Sequence, residues 1–165
     1  MGWEMHFRKF EQADAEFCFK VRNAAFIKLF YDEIGADIVT LCVNAYMPSD
    51  YIKMSDEMEI FIAENNNLPV GFLTIKRTDQ THAEIPLIYF DLNHTGKGIG
   101  TISIKFIENW IVTNWKEVDI LWLDTIIPKY NSGFYKKVGF TESGKSECEF
   151  NGLKVPSVRF SKKLK

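Results

Sequence analysis

In the opening stretch MHFRKF, Met5 and Phe7 alternate with polar neighbours, and Phe10 falls slightly out of step. The alternation predicts a strand. Asp14 stands where a helix cap is expected, ahead of apolar positions that include Phe17, Val21, Ala24, Ala25 and Leu29. A second helical stretch, from about 36 to 45, ends before Pro48. MEIFIAEN (58–65) and VGFLTIKR (70–77) read as strands joined through the turn residues of NNNLPVG, a hairpin. AEIPLIYFDL (83–92) is almost continuously apolar, the pattern of a strand covered on both faces.

Behind it, Ile99, Ile102, Phe106, Ile107, Trp110 and Ile111 recur at three- and four-residue spacing as far as Trp115. That spacing predicts an amphipathic helix. VDILWLDTII (118–127) is a further strand, and KYNSGFYKKVGF (129–140) a short helix that Gly139 can end. Two final strands, about 140–150 and 155–163, turn at Asn151-Gly152. The order β, α, α, β, β, β, α, β, α, β, β predicts an α/β fold. Its mixed sheet has one strand–helix–strand crossover in the middle.

Composition narrows the possibilities. A length of 165 residues suits one domain, 1–165, and 46% hydrophobic residues are ample for its core. A net charge of −2 supplies no field toward nucleic acid or an anionic membrane. No apolar run approaches a membrane span, and the charged N-terminus lacks the apolar core of a signal peptide. Cys18, Cys42 and Cys148 are far apart and odd in number, so neither a zinc site nor a disulfide framework is expected. The chain reads as cytoplasmic, without nucleic-acid or membrane partners.

NHTGKGIGT (93–101) places glycines at 96, 98 and 100, between a strand and the first turn of a helix. Main-chain N–H groups there lack helical partners and the helix dipole favours anions, so the segment suits a phosphate cradle. A turn needing only positive φ is the plainer alternative. The nucleotide-triphosphate loop G-x-x-x-x-G-K-[ST] does not fit, because Lys97 is followed by Gly98. The dinucleotide pattern G-x-G-x-x-G does not fit either.

The two glycine-bearing segments together resemble the GNAT superfamily of acetyl-CoA-dependent N-acetyltransferases. Its pyrophosphate motif Q/R-x-x-G-x-G/A falls on Thr95, Gly96, Lys97, Gly98, Ile99 and Gly100; its aromatic-Tyr-x-x-x-Gly-Phe motif falls on Phe134 to Phe140. The resemblance covers nearly the whole chain and implies a central, mostly antiparallel twisted sheet. In it the family's fourth and fifth strands splay apart and flanking helices cover the faces. Acetyl-CoA is the implied co-substrate, with no metal. Its pantetheine arm would run along 88–92, at Phe90, Asp91 and Leu92, and its phosphates would lie on the cradle through Thr101. Thr95 replaces the usual Gln or Arg, which implies a looser hold on the phosphates. An Asn that often contacts the cofactor is replaced by Pro128 or Lys129, leaving Asn131 nearby as a cofactor candidate.

By the same resemblance Tyr135 occupies the general-acid position and would protonate the departing thiolate. Glu84, eleven residues before Thr95, matches the offset of a catalytic glutamate in one branch of the family; His82, His94 and Asp124 are weaker base candidates. The acceptor, a primary amine of a small molecule or peptide, would meet the segment 26–58. There Phe30, Tyr31, Tyr46 and Tyr51 lie among Asp32, Glu33, Asp50, Asp56 and Glu57. Aromatics and acids suit a cationic acceptor, and they equally suit a core and a solvated face. The terminal strands offer an edge for a homodimer. Two other functions fit the same fold: a non-catalytic acyl-CoA-binding module and a protein-interaction domain.

Overall fold

The computed structural model describes residues 4–126 and 132–165. Its sheet runs in the order β1 (Met5–Lys9), β2 (Glu59–Asn65), β3 (Leu68–Arg77), β4 (His82–Glu84), β6 (Ile120–Ile126), β8 (Leu153–Lys163) and β7 (Thr141–Phe150). An eighth strand, β5 (Ile88–Phe90), pairs with β3. Strand pairs are antiparallel except β4 with β6, which are parallel and joined through α4 (Ile99–Asn114). The expected mixed sheet with one crossover is therefore present. Its hairpin turns follow from residues that tolerate positive φ: Asn66 and Asn67 (50° and 64°), then Asn151 and Gly152 (49° and 84°).

Alternation along the strands sorts side chains onto two faces. Phe61, Leu73, Ile75, Ala83, Leu121, Leu123 and Phe160 pack with Ile104, Ile107 and Ile111 of α4. Phe134 and Tyr135 of α5 (Ser132–Lys137) join this cluster from its margin. The opposite face carries α1 (Ala15–Ile34), α2 (Ala36–Val43) and α3 (Pro48–Glu57) over Ile60, Ile62, Phe72, Ile126 and Val155. No helix among the described residues is long and apolar enough to cross a membrane.

The structure corrects several expectations. Asp14 makes no side-chain cap on α1; its carboxylate takes a two-pronged bond from Arg8 (2.8 and 2.9 Å) and one from the Glu11 amide. The buried stripe of α1 is Ala15, Cys18, Val21, Arg22, Ala25, Phe26 and Phe30, leaving Ala24 and Leu29 exposed. On α4, Ile102 is likewise exposed. The second helix ends at Val43, and a third begins at Pro48, a residue suited to a first turn where its missing N–H is not needed. Most consequential, 83–92 is not one strand. It breaks at Ile85–Leu87 into β4, which stays with β6, and β5, which does not.

β5 lies so close to β3 that only glycine fits at position 71: a Cβ there would stand 2.4 Å from Phe90 Cδ1 and 2.6 Å from the Tyr89 carbonyl oxygen. Gly71→Ala should destabilise the fold by about 1–3 kcal/mol, read as a lower midpoint in urea unfolding. An unchanged midpoint would mean that β5 moves freely away from β3.

Candidate active site

β5 uses one edge and leaves the other open. Thr74 N–H donates to the Leu87 carbonyl (2.8 Å), and Asp91 N–H to that of Val70 (2.7 Å). Residues 87, 89 and 91 thus turn their main chain toward β3, so Ile88 and Phe90 turn theirs toward β6. Among the described residues β6 answers with one bond beyond the β4 pairing, Ile85 N–H to the Trp122 carbonyl (2.9 Å). Past that point the two strands diverge, and among the described residues no strand pairs with the open edge. A splay lies where the sequence resemblance implies one.

This edge leads directly into the glycine segment. Asp91 caps a short 3-10 turn (Leu92–His94) by accepting from the Asn93 amide (2.8 Å), and its carboxylate lies 3.6 Å from His94 Nδ1. Thr95 is exposed, and its hydroxyl turns back to donate to the Leu92 carbonyl (3.2 Å). Gly96 and Gly98 adopt φ of 78° and 79°, with open space where a side chain would project. Gly98 is the N-cap of α4, and the first helical bond runs from Ile102 N–H to its carbonyl (3.1 Å). The amides of Ile99, Gly100 and Thr101 therefore precede the helical ladder. They face the exposed loop that carries Lys97. Positive φ and an anion-ready helix end coexist here, so the two readings of the glycines are not exclusive.

Gly100 has a different duty. A Cβ at this position would lie 2.8 Å from Phe134 Cζ, so the third glycine seats the ring of α5 against the first turn of α4. The contact joins the two sequence motifs. Next to Phe134, Tyr135 packs against Phe140 and Phe160, and Phe140 N–H bonds back to its carbonyl (2.9 Å) as Gly139, at φ 97°, ends the helix. The Tyr135 hydroxyl has no hydrogen bond among the described residues. Burial, with a smaller contribution from Tyr89, pushes its acidity well below that of a free phenol, so it keeps its proton at neutral pH. Asn131, Pro128 and Lys129 lie outside the described residues.

On the face that carries α1, Glu84, Trp122, Asp124 and Arg159 stand side by side by register. Asp124 is committed to Arg159, whose Nε and Nη2 donate at 2.8 and 2.9 Å, with the guanidinium 4.0 Å over the Trp122 ring. His82 is tied into its turn by Thr81 (2.8 Å) and Asp79 (3.1 Å). Glu84 has neither an ion pair nor a hydrogen bond among the described residues. Burial foremost, and the nearby Asp124, raise its pKa above the ordinary carboxylate range.

The acceptor-side aromatics divide. Tyr51 and Phe30 are buried and Tyr31 is exposed. Tyr46 lines an open cleft of about 200 Å³ together with Ala45, Asp50, Lys53, Met54 and Glu57. The sequence reading missed Arg22, fully buried beneath Tyr46, and also Tyr89, whose titration is moved by burial and by Arg22. A lone arginine on an otherwise apolar helix stripe was the available signal.

Comparison with known proteins matches residues 24–140 to the model of the acetyltransferase (GNAT) family. The chain belongs to the GNAT acetyltransferase family. The matched span contains the splay, the glycine segment, Glu84 and Tyr135. No curated protein matches the chain in sequence. The fold is similar to that of a GCN5-related N-acetyltransferase of Rhodopseudomonas palustris, with a TM-score of 0.81 and 19% identity over 99% of this chain and 98% of that one. It is similar to the PaiA N-acetyltransferase of Thermoplasma acidophilum, solved with coenzyme A (TM-score 0.80, 17% identity, 97% and 99% covered). A spermidine N-acetyltransferase of Vibrio cholerae, solved with CoA and spermine, gives 0.71 at 17% identity, with 98% and 96% covered.

Within this GNAT fold the raised pKa of Glu84 is also a statement about stability. The folded protein holds that proton more tightly than the unfolded chain, so the favourable contribution exists at low pH and is lost as pH rises through the folded value. Glu84→Gln should therefore be more stable than the parent at pH 8, and the gap should close by pH 4. Urea unfolding at the two pH values checks it; a constant gap would mean that Glu84 ionises without penalty.

Proposed function

We propose that the chain acetylates a primary amine of a small molecule or peptide, by direct attack of the amine on acetyl-CoA. The observation that carries this reading is the continuity of β5 with the cradle. An unpaired strand edge at Ile88 and Phe90 runs into the free amides of Ile99, Gly100 and Thr101, and Gly100 holds α5 against that same end. The pantetheine arm, an amide-bearing chain, is suited to the strand edge as an added strand would be. The pyrophosphate is suited to the helix N-terminus and the open backbone of Gly96 and Gly98. Coenzyme A in the Thermoplasma relative supports the same ligand class here.

The amine must lose a proton to react. An alkyl amine with a pKa near 10.4 is neutral about once in 2,500 molecules at pH 7, a penalty of roughly 4–5 kcal/mol. Glu84, unpaired and with a raised pKa, is the base that relieves it, directly or through water. The nitrogen bonds to the thioester carbonyl carbon, the carbon–sulfur bond breaks, and the sulfur leaves as thiolate. Main-chain N–H at the splay stabilises the oxygen that becomes negative in between. Tyr135, which burial keeps protonated until the thiolate forms, gives its proton to the sulfur, and the second proton that the nitrogen sheds on becoming an amide passes through water to the phenolate. The free state of Cys18, Cys42 and Cys148 fits a reducing compartment such as the cytoplasm.

Calorimetric titration with acetyl-CoA, against ATP and NAD, tests the ligand; binding selective for acetyl-CoA is expected, and no binding at millimolar concentration would overturn the proposal. Tyr135→Phe should lower kcat about 100-fold while acetyl-CoA affinity stays unchanged. Equal loss of both would make Tyr135 a packing residue.

A further inference from the structure

Arg22 is wholly buried on α1. One nitrogen, Nη1, donates to the Cys42 carbonyl at the end of α2 (2.6 Å), and the guanidinium lies 4.9 Å from the Phe26 ring centre, 4.8 Å from Tyr46 and 5.8 Å from Phe150. Among the described residues its Nε and Nη2 have no well-formed hydrogen bond and no carboxylate pairs with it, while the Tyr89 hydroxyl stands close enough to the guanidinium for a side-chain hydrogen bond that lowers the tyrosine's pKa. The buried hydroxyl of Tyr51, close enough to feel the guanidinium charge, is also without a hydrogen bond among the described residues. A buried cation is costly unless it is paired and fully hydrogen-bonded; the rings, the Cys42 carbonyl and the Tyr89 hydroxyl offset part of that cost, but among the described residues no anion completes the pairing.

The vacant edge has a known complement in the same molecule. Arg159 uses the same pair, Nε and Nη2, to grip both oxygens of Asp124 at 2.8 and 2.9 Å. Planar two-pronged donation of this kind selects a carboxylate. One ring, Tyr46, separates Arg22 from the cleft lined by Asp50, Lys53 and Met54, and the same tyrosine is near enough to Glu84 to feel its charge.

Resting on the acetyltransferase reading above, we propose that Arg22, with Tyr51, is the specificity site for a carboxylate on the acceptor, so that the amine acetylated is that of an amino acid or short peptide rather than a polyamine. Tyr46 turns aside to admit the acceptor. Its carboxylate takes the two Arg22 donors and the Tyr51 hydroxyl, and its ammonium group lies toward Glu84. Arg22 is then a substrate-binding residue rather than a support for the fold: the Cys42 carbonyl keeps the Ala45 amide (3.3 Å) even without it.

The test pairs each acceptor with the amine that lacks its carboxylate: lysine with cadaverine, ornithine with putrescine, phenylalanine with phenethylamine, and dipeptides with their C-terminal amides. Thermal protection is measured with acetyl-CoA-loaded protein, and acetylation by thiol release. The wild type should be protected by, and should acetylate, carboxylated members of the panel in preference to their partners. Arg22→Met should raise KM for the carboxylated acceptor at least about 30-fold, with acetyl-CoA affinity unchanged and without lowering Tm in the absence of acceptor. Arg22→Lys keeps the charge but not the fork and should lose the same preference, which covers the case of a methionine variant that does not fold. Absence of carboxylate-dependent protection in the wild type, or equal loss for both members of a pair in the variants, overturns the proposal. Carboxylate-dependent protection without thiol release leaves the Arg22 site standing and overturns the transfer reaction instead.

Discussion

Between Ile85 and Leu87 one strand stops following its neighbour, and the candidate site depends on that divergence. Pro86 has no N–H to give to a ladder. The main chain around it is held instead by Thr74, whose amide donates to the Leu87 carbonyl while its buried hydroxyl accepts from the Leu87 amide (2.9 Å). β3 thereby grips both halves of the broken strand, β4 at Lys76–Arg77 and β5 at Gly71–Leu73. β6 follows only the first half. A sheet this large would ordinarily close such a gap, because an unpaired edge beside a core wastes hydrogen-bonding capacity. Keeping it open makes sense when something else completes it.

How much of this was legible before the structure depends on which interactions are local. Turns were, because Asn66-Asn67 and Asn151-Gly152 carry their backbone preference in their own side chains. The glycine segment was as well, since a helix N-terminus and bare backbone are both local properties. The break at Pro86 was not. The run 83–92 is apolar throughout, and only the register of β3 and β6 reveals that its two halves have different partners. Asp14 misled for a similar reason. It sits at a capping position, but Arg8 on β1 offers two charged donors, a stronger claim than helix amides. On α1 the stripe was read one step out of register because Arg22, a charged residue, occupies the centre of the buried face.

The two faces of the sheet divide the candidate chemistry. Tyr135 and the cradle belong to the face packed by α4 and α5, where Phe134 on Gly100 fixes their mutual position. Glu84, Arg22 and Tyr46 belong to the face packed by α1 to α3. A proton acceptor and a proton donor on opposite faces can act on one reaction only where the sheet is open between them, and the splay is that opening. The pKa directions agree with the division: Tyr135 and Glu84 are each shifted chiefly by burial in their own layer, with Tyr89 and Asp124 respectively in second place.

Tyr89 is the residue that belongs to both sides. Its main chain is committed to β3, opposite Phe72, while its neighbours Ile88 and Phe90 present theirs to the splay. Its side chain lies among the acceptor-side groups, where it feels Arg22, Tyr46 and Cys148, and it is also the titratable neighbour that, among the described residues, Tyr135 feels. A ligand that completes the open edge would fix residues 88 and 90, and through the peptide planes it would fix the ring of Tyr89 as well. Gly71, with no Cβ, lets β3 press closely on Tyr89 and Phe90. The strand is therefore constrained from one side by packing and from the other by whatever binds. Filling the edge would then set the wall against which the acceptor is held, which favours ordered binding with the edge ligand first.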